Sequence, residues 1–185
     1  MKSKSFWPTA AAVLVFVLVA GFGALLSAPA DAGSIATGNS CTAPGISITT
    51  DAAGDTGTGS VGTAPGSPAQ DLLEIAIAEP YQPDGAQRLA FTIAVSDVAT
   101  LPSNGLWRVF FSVTSGATTT GYFVGAFNDA TAGMSYTYGT TGTSTTTLGS
   151  ADSGSISTET KTITVLIDES KIGGLKAGEI GRAHV

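Results

Sequence analysis

Apolar residues return at every second position through much of this chain, and that period fixes the class of structure open to it. Leu73, Ile75 and Ile77 share one parity, as do Leu89, Phe91, Ile93 and Val95, and then Trp107, Val109, Phe111 and Val113. A pleated strand points successive side chains to opposite faces, so each run describes a strand buried on one face. The same reading predicts strands over residues 46–49, 122–127, 134–138 and 162–167, the last with Ile163, Val165 and Ile167 inward. Beyond the N-terminal segment no long helical period occurs, and the runs are rich in the β-branched and aromatic residues that suit a pleated surface. Turn chemistry separates them at Pro83-Asp84-Gly85, at Pro102-Ser103-Asn104-Gly105 and at Asn128-Asp129 with Gly133 nearby. Evenly spaced strands joined in this way predict an all-β fold, an antiparallel β-sandwich, with a closed barrel as the alternative. Two stretches of low complexity, residues 56–69 and 140–157, carry little apolar surface and read as loops, the second with room for a short edge strand at 145–148. No internal repeat is evident.

The chain ends carry other signals. Lys2 and Lys4 precede an uncharged apolar run over residues 10–26, and Ala30-Asp31-Ala32 offers a small-x-small cleavage site. This is the pattern of a secretory signal peptide over residues 1–32, helical while attached. An uncleaved membrane anchor is the competing reading, but no basic stop-transfer cluster follows. Export therefore places the protein outside the cell or at its surface, without stable membrane insertion after cleavage. At the other end, Glu179-Ile180-Gly181-Arg182-Ala183-His184-Val185 read as GAG ATC GGA AGA GCA CAC GTC reproduces a common sequencing adapter. Residues 179–185 are therefore expected to be foreign to the gene, and His184, the one histidine, with them. The expected organisation is a linker over 33–45 and one sandwich domain over 46–178, cut short of its last strand.

Charge removes one class of function. The formal net charge is −6, and no basic patch is present to neutralise phosphates. Nucleic acid is excluded as a partner. Cys41 is the single cysteine, an odd count for an exported protein, and reads as a half-buried thiol or as one half of a disulfide whose partner lies beyond the chain. It is wrongly placed and wrongly preceded for lipid attachment, and with no native histidine to serve as its base it is not a catalytic nucleophile.

The sharpest local cluster is Asp51-Ala52-Ala53-Gly54-Asp55, followed by Thr56-Gly57 and by Asp71 at the head of the next strand. Carboxylates on a glycine-rich loop can supply hard oxygen ligands to calcium, although the spacing is not that of an EF-hand. The competing reading is that these aspartates form Asx-turns and cap their own backbone. The run Thr50-Asp51-Ala52-Ala53-Gly54-Asp55, then Asp71-Leu72-Leu73-Glu74-Ile75-Ala76-Ile77, then Arg88-Leu89-Ala90-Phe91-Thr92-Ile93-Ala94-Val95 resembles the opening of DOMON-like β-sandwich modules of jelly-roll type. That group includes the C-terminal module of glucodextranase-type enzymes and the family 9 carbohydrate-binding modules. The resemblance implies a non-catalytic extracellular accessory module, often calcium-stabilised, with Asp51, Asp55 and Asp71 as metal or loop-ordering residues. The long Gly/Ser/Thr/Pro insertion between Asp55 and Asp71 departs from the pattern. Some relatives bind haem through Met and His. Here Met134 is the single methionine after the leader and no native histidine exists, so haem is not expected.

A polysaccharide or cell-surface glycan is the expected partner, and sugar platforms present aromatic faces. Tyr136 and Tyr138 share one strand face and can form a surface stripe or a sheet-packing pair. Trp107 is a third candidate, although it shares its parity with core residues; Tyr81 and Tyr122 complete the set. No nucleophile elbow, no metal-type His/Cys cluster and no native histidine support catalysis. Three readings remain: an accessory binding or spacer module, the N-terminal part of a secreted hydrolase (protease or glycosidase) whose catalytic portion lies elsewhere, and a surface adhesion protein.

Overall fold

The computed structural model describes residues 41–56 and 66–174, together with the backbone of residues 180–184. The leader over 1–32, most of the 33–45 linker and much of the first low-complexity stretch lie outside the described residues. The ten described strands are, in chain order, β1 (Ile46–Thr50), β2 (Leu72–Ala78), β3 (Arg88–Val95), β4 (Gly105–Ser115), β5 (Thr118–Asp129), β6 (Gly133–Thr141), β7 (Thr145–Ser150), β8 (Ser153–Ser157), β9 (Thr162–Asp168) and β10 (Ile180–His184). Two 3-10 turns, Pro68–Gln70 and Glu169–Ile172, accompany them. The fold is all-β.

The strands form two antiparallel five-stranded sheets, ordered β1-β2-β3-β9-β8 and β10-β4-β5-β6-β7. Register follows the alternation in the sequence. Leu89, Phe91 and Ile93 of β3 stand opposite Ile167, Val165 and Ile163 of β9, and Trp107, Val109 and Phe111 of β4 stand opposite Ala126, Val124 and Tyr122 of β5. These inward faces meet in one core spanning both sheets. Phe111 joins the layers, with its ring centroid 4.8 Å from that of Phe91 and 5.9 Å from that of Tyr122. Offset or tilted aromatic pairs at such separations add to the burial of the rings themselves.

The second low-complexity stretch corrects the expectation of a loop, because β7 and β8 occupy most of residues 140–157. Threonine is β-branched and suits a strand, and an outer strand gains its backbone hydrogen bonds without an apolar side chain of its own. Each of these strands is the edge of its sheet. Ile156 of β8 packs on the core, and Gly149 of β7 and Gly154 of β8 are inner positions over which β6 lays its aromatics. A Cβ on Gly154 would overlap the Tyr136 ring, and one on Gly149 would lie 3.4 Å from Tyr138. The chain crosses from β7 to β8 in two residues: the Ala151 N–H donates to the Tyr136 carbonyl in one sheet, and the Asp152 N–H to the Leu166 carbonyl in the other.

At the opposite side of the sandwich, β10 pairs with β4 at Val113, Phe111 and Phe110 only. Its residues fall in the segment 179–185, expected from the sequence to be foreign to the gene. From Gly105 to Val109, β4 has no strand on the side away from β5 among the described residues.

Candidate functional site

Asp71 organises the loop that follows β1. It is 5% exposed, and its carboxylate accepts the Gly54 N–H and the Thr56 hydroxyl, each at 2.9 Å, together with the Ser96 hydroxyl and the Asp55 N–H. Burial raises the carboxyl's proton affinity, but hydrogen bonds from Ser96, Gly54, Thr56 and Asp55 together outweigh it and hold the group below its ordinary value. Asp51 is exposed and accepts from the N–H of Ala52 at 2.9 Å, as an Asx-type cap. Asp55 is exposed, and its backbone serves Asp71. The three aspartates are therefore neighbours in the chain path without forming a shared ligand set. Asp71 is met by donors, which is the wrong polarity for a cation, so the described residues do not fit a calcium site in this arrangement.

The aromatics expected to face solvent are drawn inward. Trp107 is 3% exposed, and its indole N–H donates to the Ala69 carbonyl, tying β4 to the 3-10 turn before β2. A ring so enclosed has no face to offer a sugar, and Trp107 is a core and anchoring residue. Tyr136 and Tyr138 are half-buried and pack against the core between the sheets, over Gly154 and Gly149. Desolvation raises the proton affinity of the Tyr136 phenolate. The Lys171 ammonium lies 5.7 Å from the Tyr138 ring centroid. The stripe they form is a packing stripe.

The outer face of the second sheet carries what the alternation did not predict. Leu106, Arg108 and Phe110 point outward from β4, and Phe123 points outward from β5 beside them. Leu106 is 44% exposed, whereas Phe123 is fully buried despite its outward parity. Phe110 lies 6.2 Å from Phe123, and the Arg108 guanidinium covers the Phe123 ring at 4.6 Å. The signal was present in the sequence: residues 106–111, Leu-Trp-Arg-Val-Phe-Phe, are apolar at both parities apart from Arg108, as are Tyr122-Phe123-Val124. A strand of that kind is covered on both faces.

A cleft of about 460 Å³ runs along this side of the molecule, lined by Leu106, Trp107, Arg108 and Phe110 of β4 and, across from them, by Thr56, Gln70 and Leu72. It lies where β4 lacks an outer neighbour among the described residues, between the strand edge and the loop that Asp71 holds. Asp71 thus bears on the site indirectly, since Thr56 is both its hydrogen-bond donor and a wall of the cleft. A second, smaller hollow of about 220 Å³ lies at the turn between β2 and β3, beside Tyr81. Among the described residues no group of three or more His, Cys, Asp or Glu side chains is arranged to hold a metal. No protein-family model, curated protein or solved structure matches the chain.

Proposed function

We propose that this protein is an exported, non-catalytic β-sandwich module of DOMON-like, jelly-roll type that binds carbohydrate in the β4 cleft. The observation that carries the reading is that cleft: a concave surface with apolar walls from Leu72, Leu106 and Phe110 and a few polar groups from Thr56, Gln70 and Arg108. Ligand sites have this composition, apolar over most of their area with sparse groups that fix orientation. Apolar side chains left outward on a sheet face are also the ordinary mark of a binding surface. The pyranose C–H face would rest on Leu106 and Phe110, and hydroxyls would meet Gln70 and Thr56. The N-terminal leader pattern and the acidic, cation-poor composition support a place outside the cell.

Affinity electrophoresis through gels containing a panel of plant and bacterial polysaccharides tests the reading. At least one should retard the protein, and Leu106→Ala with Phe110→Ala should abolish that retardation while the fold, followed by circular dichroism, persists. Retardation unchanged in the double variant would place the binding surface elsewhere. No retardation by any polysaccharide would remove the carbohydrate reading.

A further inference from the structure

We propose that the β4 cleft reads a carboxylate, and that its ligand is a mostly neutral glycan carrying occasional uronic-acid groups, with Arg108 as the residue that selects them. The inference rests on the carbohydrate reading of the cleft and deepens it.

Arg108 is set apart from the other described cations. Arg88 is paired with Asp84 at 2.8 Å, Lys171 with Asp152 at 3.0 Å, and Lys161 is also engaged. Arg108 makes neither an ion pair nor a hydrogen bond among the described residues. Its Nε, like that of Arg88, is buried with no acceptor, so what distinguishes Arg108 is its terminal nitrogens, which meet no described acceptor, and the described contact of its charge is the Phe123 ring. A guanidinium carries five N–H donors in a rigid planar fork that matches the two oxygens of a carboxylate. Stacking on Phe123 holds that plane in place, so little side-chain freedom remains to be lost when an anion arrives. A guanidinium without a described partner, held over a ring and set in the wall of a cleft, can receive a planar anion on its two terminal nitrogens.

Overall charge narrows the ligand further. The chain carries a formal net charge of −6, so a continuous polyanion is repelled by the molecule as a whole and attracted at one point only. A neutral chain with isolated acidic groups satisfies Arg108 without that repulsion. Hydroxyl-bearing rings also suit Gln70 and Thr56 across the cleft, and Leu106 and Phe110 offer apolar surface to the ring face.

Isothermal titration of the full chain tests this with a xylan bearing sparse glucuronic-acid groups, the same xylan after reduction of its carboxyls, polygalacturonate, and poly-glutamate. Reduction should weaken binding at least tenfold, about what one charge-assisted bidentate contact supplies. Arg108→Met should weaken binding to the acidic xylan by the same factor and be indifferent to reduction. Arg108→Lys, which keeps the charge over Phe123 but not the fork, should fall between, and it serves if the Met variant melts early. Polygalacturonate should bind more weakly at low salt and improve as salt is added. If Arg108→Met binds acidic xylan as wild type does, or if reduction changes nothing, Arg108 merely covers Phe123 and the carboxylate inference is overturned, while the carbohydrate reading stands. Binding of poly-glutamate as tight as that of acidic xylan would overturn the saccharide assignment. No binding to any xylan would remove this inference and leave the wider polysaccharide panel to decide the reading beneath it.

Discussion

Replacing Asp71 separates a hydrogen-bonded loop clamp from a metal ligand. Its carboxylate accepts from two hydroxyls, those of Thr56 and Ser96, and from the N–H groups of Gly54 and Asp55. Gly54 and Asp55 are exposed, so their freed N–H groups would turn to water at little expense. The two hydroxyls are half-buried, and hydrogen bonds to a charged acceptor contribute about 1.5–3 kcal/mol each without being additive. Asp71→Ala should therefore destabilise the domain by about 3 kcal/mol, and at the 2–4 °C per kcal/mol typical of chains this size the melting temperature should fall by roughly 6–12 °C. Asp71→Asn should lose part of the same amount, because the hydrogen bonds lose their charged acceptor and the amide nitrogen cannot accept from the Gly54 or Asp55 N–H, although the Thr56 and Ser96 hydroxyls can turn to accept from it. The folded state holds this carboxyl ionised below its ordinary value of 3.8. Its contribution is thus complete above that pH and is lost as pH falls through the depressed value, so the gap between wild type and Asp71→Asn should close in acid. Thermal and urea unfolding followed by circular dichroism measure each quantity. A chelator should leave wild-type melting unchanged. If chelation lowers it as far as Asp71→Ala does, a cation occupies this loop; if Asp71→Asn is as stable as wild type, the ionised carboxylate is not what holds the loop and the clamp argument is wrong.

Three further outcomes follow from the packing. Gly154→Ala places a methyl group where the Tyr136 ring lies, and overpacking of this kind should lower stability by about 1–3 kcal/mol; a neutral melting curve would mean that the ring swings free. Phe91→Ala removes a fully buried ring that touches Phe111 across the sheets and should destabilise the domain by about 3–5 kcal/mol, read from the urea midpoint at unchanged slope. Glu169 is 7% exposed, and burial, then Glu79 and Asp168, raise its proton affinity above the ordinary 4.5. Its protonated form is favoured on folding, so that contribution is full below the ordinary value and is lost as pH rises through the raised one. Glu169→Gln should therefore stabilise the protein at neutral pH and do nothing in acid, and equal melting at both pH values would contradict it.

The architecture was legible where one physical demand acted alone. In β4 and β9, and at Leu89, Phe91, Ile93 and Val95 of β3, the need to bury a face wrote a period of two into the sequence, although β3 is buried on both faces. In β2 the expectation that Leu73 shares a face with Ile75 and Ile77 fails, because a bulge between Leu72 and Glu74 sends Leu73 to the opposite face beside Ala76 and Ala94. Asp71 was visible as a carboxylate at a strand head, although spacing could not say whether donors or a cation would meet it. β7 was legible only as room for a short edge strand at 145–148 and β8 was hidden, because their stability comes largely from backbone pairing and from tyrosines supplied by β6, and one apolar residue in each, the exposed Leu148 and the core-packed Ile156, makes no alternation. Tyr136 and Tyr138 were ambiguous for the same reason: whether a half-buried tyrosine faces water or a neighbouring glycine depends on a strand their own segment does not mention. The cleft was missed because alternation assigns Leu106, Phe110 and Phe123 to solvent. Only the doubled apolar parity of residues 106–111, weighed against that expectation, shows that the outer face is not a polar one.

The two-residue passage from β7 to β8 has a mechanical meaning. Ala151 is fastened to one sheet and Asp152 to the other, so along this margin the layers cannot part without breaking at least one of these hydrogen bonds. On the far margin the indole of Trp107 reaching the Ala69 carbonyl is the described clasp between β4 and the turn before β2. The sandwich is built like a book, with its spine at β7–β8 and its fore-edge at the cleft. Thermal breathing should therefore be directional, with amides at Ala151 and Asp152 exchanging slowly with solvent and those of residues 106–109 that have no described acceptor exchanging first. A ligand that bridges Leu72 and Leu106 would close the fore-edge, and the rigidity it adds would be felt in the hydrogen exchange of both sheets.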